Sequence, residues 1–124
     1  MPLKNVLLVN GASSGATGVL LVAFARFIAD LFQVTPVMPF VGVGVFLILF
    51  AVLVVSVAMN TNSQTKKVQI IIALDVIWTV ASFLFVIFFH NEISIIGNGL
   101  VIAVALWVAA MAFFQTKGLK QITL

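Results

Sequence analysis

The stretch from Val68 to Phe89, VQIIIALDVIWTVASFLFVIFF, holds a single charge, Asp75, in a run that is otherwise apolar except for Gln69, Thr79 and Ser82. As a helix rising about 1.5 Å per residue it measures about 33 Å, enough to cross the roughly 30 Å hydrocarbon core of a bilayer. A barrel strand would instead alternate apolar and polar residues over about ten positions. Lys66 and Lys67 stand before this run, and the polar turn His90, Asn91, Glu92 follows it.

The same pattern repeats outward in both directions. The spacing of charges and breakers predicts spans over about 5–25, 40–59, 68–89 and 93–116. The second follows Pro36 and Pro39, and the polar run Asn60–Lys67 after it reads as a loop. Over 25–34, Arg26, Asp30 and Gln33 recur on one face with Phe24, Phe27, Ile28, Leu31 and Phe32 on the other. This predicts an amphipathic helix at the interface in which Arg26 and Asp30 pair.

Composition agrees. Of 124 residues 64% are hydrophobic and 7% charged, against about 25% in soluble domains, so a water-facing surface cannot be built. There is no cysteine and one histidine, which excludes disulfides, thiolate chemistry and a conventional metal site within one chain. The net charge of +3 comes from flanking lysines and not from a basic patch with interleaved aromatics, so the expected partner is the lipid bilayer and not nucleic acid. Lys4, Lys66, Lys67, Lys117 and Lys120 all fall at one end of the spans, which by the positive-inside rule puts both termini in the cytoplasm. A signal peptide is the competing reading of the first segment. Its small polar residues argue against that.

The expected fold is therefore an all-α membrane protein: one transmembrane domain over residues 1–124, an antiparallel four-helix bundle in up-down-up-down order, N-in and C-in.

Asp75 is the candidate for function. It lies about 12 Å beyond Lys67, where an aspartate at mid-span costs roughly 2.5–3.5 kcal/mol on insertion. Trp78, Thr79 and Ser82 follow at i+3, i+4 and i+7 and extend a polar stripe from it. On the first span Asn10, Ser13, Ser14 and Thr17 form a second stripe at similar depth. The expectation is that the first and third spans meet there, with Asp75 hydrogen-bonded to Asn10, Ser13 or Ser14. An intramembrane acid reads as a proton or cation site or as an interhelical hydrogen-bonding group, and the sequence leaves both open. Trp78 and Trp107 also sit well inside the membrane, where they either pack between helices or wall a cavity shared with Asp75.

Glycines supply a second set of candidates, for helix packing. Gly11, Gly15 and Gly18 give the first span a small-residue face that a neighbouring backbone can approach. Gly42 and Gly44 open the second span and Gly97 and Gly99 the fourth, at an offset of 55, which hints at a duplicated hairpin.

Val6–Gly18, VLLVNGASSGATG, resembles the cofactor-binding turn of short-chain dehydrogenases. The family's third glycine falls on Thr17, however, and the chain has no tyrosine for that family's catalytic pair. No cofactor is expected. A wider resemblance, carried by Asn10, Gly18, Gly42, Gly44, Phe50-Ala51, Asp75, Trp78, Ser82, Gly97 and the tail Lys117-Gly118-Leu119-Lys120, is to uncharacterised small bacterial membrane proteins with four spans, and more loosely to DoxX-like proteins. It implies a bundle in the bacterial inner membrane and no particular activity.

Without a paired acid and base or an activated nucleophile, the expectation is a non-enzymatic accessory or assembly subunit, forming a homo-oligomer or part of a larger membrane complex through its small-residue faces. The alternative is a small proton- or cation-linked transporter or channel using Asp75.

Overall fold

The computed structural model describes residues 3–59 and 65–123, without the side chains of 121–123. Among these residues there are five helices: α1 (Leu3–Ala23), α2 (Ala25–Phe32), α3 (Met38–Met59), α4 (Thr65–Phe89) and α5 (Ile95–Thr123). α1, α3, α4 and α5 are long and apolar enough to cross a membrane, and most of their large apolar side chains are turned outward. The chain is a multi-pass, all-α membrane protein.

The helix boundaries follow local chemistry. Pro39 lies inside the first turn of α3, because a residue there has no intrahelical partner for an N–H and a proline loses nothing. Of the run expected to be a loop, 60–64 fall outside the described residues, while Thr65, Lys66 and Lys67 begin α4. α5 begins with Ser94 as its cap, the Gly97 N–H donating to Ser94 Oγ at 3.0 Å. It then runs past the expected stop at Thr116, so Lys117 and Lys120 are helical residues.

α2 is the expected amphipathic segment, set off from α1 at Phe24. Helical bonds still cross the junction, from Phe24 N to Leu20 O and from Ile28 N to Phe24 O, both 2.9 Å. α2 ends with Gln33 in the left-handed region (φ 59), its N–H on Asp30 O and that of Val34 on Ala29 O, the paired bonds of a Schellman motif. Arg26 does not pair with Asp30 as expected. Its guanidinium donates to the Thr35 carbonyl at 3.1 Å, satisfying an acceptor in the turn after α2.

α1 packs along α3, and α4 along α5; α1 also meets α5, while α3 approaches α4 only briefly. The four spans thus stand in the cyclic order α1, α3, α4, α5, with α1 diagonal from α4. The tightest crossing is between α1 and α3. A Cβ on Gly18 would lie 2.7 Å from the Gly44 carbonyl oxygen, and one on Gly44 2.7 Å from that of Gly18. In lipid, where apolar burial gives no advantage over acyl chains, such backbone approach is what holds two helices together. Gly11 and Gly15 continue the seam against Val55 and Ala51.

Gly11, Gly15 and Gly18 of α1 are therefore covered by α3 within the chain. Gly97 packs on Ile93 and the Phe32 ring, but Gly42 and Gly99 have nothing within 4 Å and are not packing positions in this chain. Spacing places a glycine on a helix face without saying which neighbour covers it. The proposed duplication gains nothing here, since Gly44 touches α1 while its counterpart Gly99 touches nothing.

Candidate functional site

Three polar side chains from three helices meet in the bundle interior. Asp75 of α4 is 3% exposed, Asn10 of α1 1% and Gln115 of α5 0%. Asp75 Oδ2 accepts from Asn10 Nδ2 at 3.1 Å and from Gln115 Nε2 at 2.7 Å. The second proton of Asn10 Nδ2 goes to Gln115 Oε1 at 2.7 Å, which closes a three-way ring. On the α1 side Ser14 donates to Asn10 Oδ1 at 3.2 Å. A carboxylate that would otherwise cost roughly 2.5–3.5 kcal/mol in mid-membrane is met by two amide donors, each worth about 0.6–1.7 kcal/mol between membrane helices. Together they offset much of the insertion penalty.

The expected contact between Asp75 and Asn10 is present, but its setting differs from the expectation in one respect. α1 and α4 do not pack on each other; they stand across the bundle, their side chains meeting at its centre, where Gln115 of α5 bonds to both. Depth counted from the nearest lysine does not reveal Gln115. That count puts it only about 3 Å inside Lys117, against about 12 Å for Asp75 from Lys67. Lys117 does not mark the helix end, however. Since α5 continues to Thr123, its lysines can reach outward from within the helix, and Gln115 is level with Asp75.

The other candidates are distributed around this ring. Ser13 bonds back to Val9 O at 2.9 Å and accepts from Trp107 Nε1 at 3.0 Å, joining α1 to α5 without touching Asp75. Thr17 donates to Ser13 O at 2.8 Å, and Thr79 to the Asp75 carbonyl at 2.9 Å. Both satisfy backbone of their own helix. Ser82 is half-buried nearly two turns beyond Asp75 on α4 and takes no part in the ring. Trp78 stacks on Phe46 with centroids 6.1 Å apart and rings nearly parallel, covering the loosely packed side between α3 and α4. Its buried Nε1 has no acceptor among the described residues.

Beside the ring is a small cavity bordered by all four spans: Ser14 of α1, Phe46 and Phe50 of α3, Asp75 and Trp78 of α4, and Val108 of α5. The room in which the centre of a water molecule can move is about 20 Å³. One water needs about 10–15 Å³, so the cavity admits one.

One turn toward the chain termini the character reverses. Leu7, Ile71 and Leu119 stand three or four residues from Asn10, Asp75 and Gln115 on the same helices, buried together with Val54, Val57, Ala58 and Val68. This apolar layer lies between the polar ring and the end that carries Lys4, Lys66, Lys67 and Lys120.

No family model, curated protein or solved structure matches this chain. The likeness to small four-span and DoxX-like proteins draws no support from these comparisons. The reading of the site therefore rests on its own geometry. Among the described residues no three of His, Cys, Asp and Glu come together as a metal site would require.

Proposed function

We propose that this is a non-enzymatic membrane protein, an accessory or assembly subunit, in which Asp75 is a structural clamp joining α1, α4 and α5. The observation that carries the reading is the pairing of a closed polar ring with an apolar layer beneath it. Asp75 Oδ2 is occupied by Asn10 and Gln115, and Leu7, Ile71 and Leu119 separate the ring from the lysine end. A buried polar group of this kind fixes which helices meet and in what register, because any other arrangement leaves it unpaired in lipid. Outside the bundle the protein presents apolar side chains, with Ala12 and Ala16 exposed on α1 as places where another helix can come close. Both termini lie on the cytoplasmic side, a reading supported by five of the six basic residues lying at one end; the bacterial inner membrane is what the resemblance to small four-span proteins implies.

Native mass spectrometry of gently extracted protein tests this. The reading expects a defined oligomer or a co-purifying membrane protein. A monomer with no partner, in a preparation that also carries a pH-dependent flux, would contradict it.

A second reading, a small proton- or cation-linked transporter, is favoured by the cavity, since Asp75 borders a space that all four spans share. Flux in proteoliposomes decides between the two. Transport expects flux that Asp75→Asn removes while assembly is retained, whereas the structural reading expects none in the parent protein under any proton or cation gradient.

A further inference from the structure

We propose that the outer seam between α4 and α5, at the end carrying the lysines, is a binding site for an anionic phospholipid. A groove there offers about 450 Å³ to a ligand, within the range of small-molecule sites, and is lined by Val76 of α4 and by Ala112, Phe113, Thr116, Lys117 and Lys120 of α5. The order of these residues along α5 is the order of a lipid. Ala112 and Phe113 form an apolar floor at the depth of Val76, Thr116 lies toward the membrane boundary, and Lys117 and Lys120 are outermost. From Phe113 to Lys120 is about 10 Å along the axis. A phosphate at the lysines would thus leave its acyl chains running inward over Val76 and Phe113.

Charge selects the headgroup. Lys4, Lys66, Lys67, Lys117 and Lys120 share this end of the bundle, whereas Asp30 and Glu92 lie at the far end and Asp75 is enclosed. Among the described residues no acidic side chain stands beside these lysines, so their charge dominates this end. Basic pockets between membrane helices hold anionic headgroups in this way. Lys66 and Lys67 occupy the first turn of α4, outside the groove, so the site differs from the general charge of the rim. The groove also backs onto the polar ring, Val76 and Thr116 being the chain neighbours of Asp75 and Gln115.

The test is native mass spectrometry of the full chain in detergent, titrated with phosphatidylglycerol and with phosphatidylcholine of the same acyl composition. The parent protein should retain phosphatidylglycerol preferentially. K117Q/K120Q should weaken phosphatidylglycerol binding by roughly 10–30-fold, K66Q/K67Q should leave it nearly unchanged, and F113A should weaken both lipids alike. Circular dichroism confirms that each variant stays helical, and Lys117 and Phe113 are exposed, so neither change disturbs the interior. Equal binding of the two lipids would overturn the proposal. So would an equal loss in K66Q/K67Q, which would mean diffuse rim charge, or displacement of the lipid by soluble glycerol 3-phosphate, which would mean a site for a free phosphate ester.

Discussion

The ring of Asn10, Asp75 and Gln115 and the layer of Leu7, Ile71 and Leu119 lie one turn apart on the same three helices, yet they do different work. The upper layer gains little net stability, since each hydrogen bond between membrane helices is worth about 0.6–1.7 kcal/mol and the carboxylate costs roughly 2.5–3.5 kcal/mol to insert. What it supplies is selectivity: only one alignment of α1, α4 and α5 brings the two amides to Asp75 Oδ2. The lower layer is indifferent to small shifts in register, because apolar side chains pack in many ways, but it fills space and keeps water from the ring. Neighbouring turns thus divide specificity from sealing.

The comparison can be broken from either side. The largest effect is expected from Ile71→Asn. Ile71 is 0% exposed, and an amide there finds only apolar neighbours, so the variant should lose folded yield and more than about 3 kcal/mol in detergent unfolding. Next comes Asp75→Leu, which leaves the donors of Asn10 and Gln115 without their shared acceptor and should cost about 1–3 kcal/mol by the same measurement. The triple variant Asn10→Leu, Asp75→Leu, Gln115→Leu turns the upper layer into a copy of the lower one. It should recover most of that loss, because an apolar replacement of a whole buried polar group is close to neutral. Its helices should also lose their single register, seen as broadened or doubled amide signals in NMR. The smallest effect is expected for Gly42→Ala and Gly99→Ala, where a Cβ meets nothing within 4 Å and stability should change by less than about 0.5 kcal/mol.

The spans were legible in the sequence because charge and length are enough to place them. The contact between Asn10 and Asp75 was legible for a related reason, as both stand a similar distance inside a boundary lysine. Gln115 was not, because α5 carries two lysines within its helix and the boundary rule misplaces everything near them. Nor could the sequence separate Gly18, pressed against Gly44, from Gly42, which faces open space. Periodicity gives the face a residue occupies, whereas the neighbour across it depends on how the helices are ordered around the bundle. The expected pairing of Arg26 with Asp30 failed similarly, since the Thr35 carbonyl that captures Arg26 is presented by a turn whose path the spacing does not reveal.

The central claim is that Asp75 acts as a clamp through its amide partners, and a double-mutant cycle between Asp75 and Gln115 tests it most directly. Unfolding free energies would be measured for the parent, Asp75→Leu, Gln115→Leu and the double variant. The clamp predicts that the two single losses together exceed the double loss by about 1 kcal/mol or more, since either substitution alone already breaks the shared bond. Losses that add to within about 0.3 kcal/mol would show that the two side chains do not act on each other, and would contradict the account.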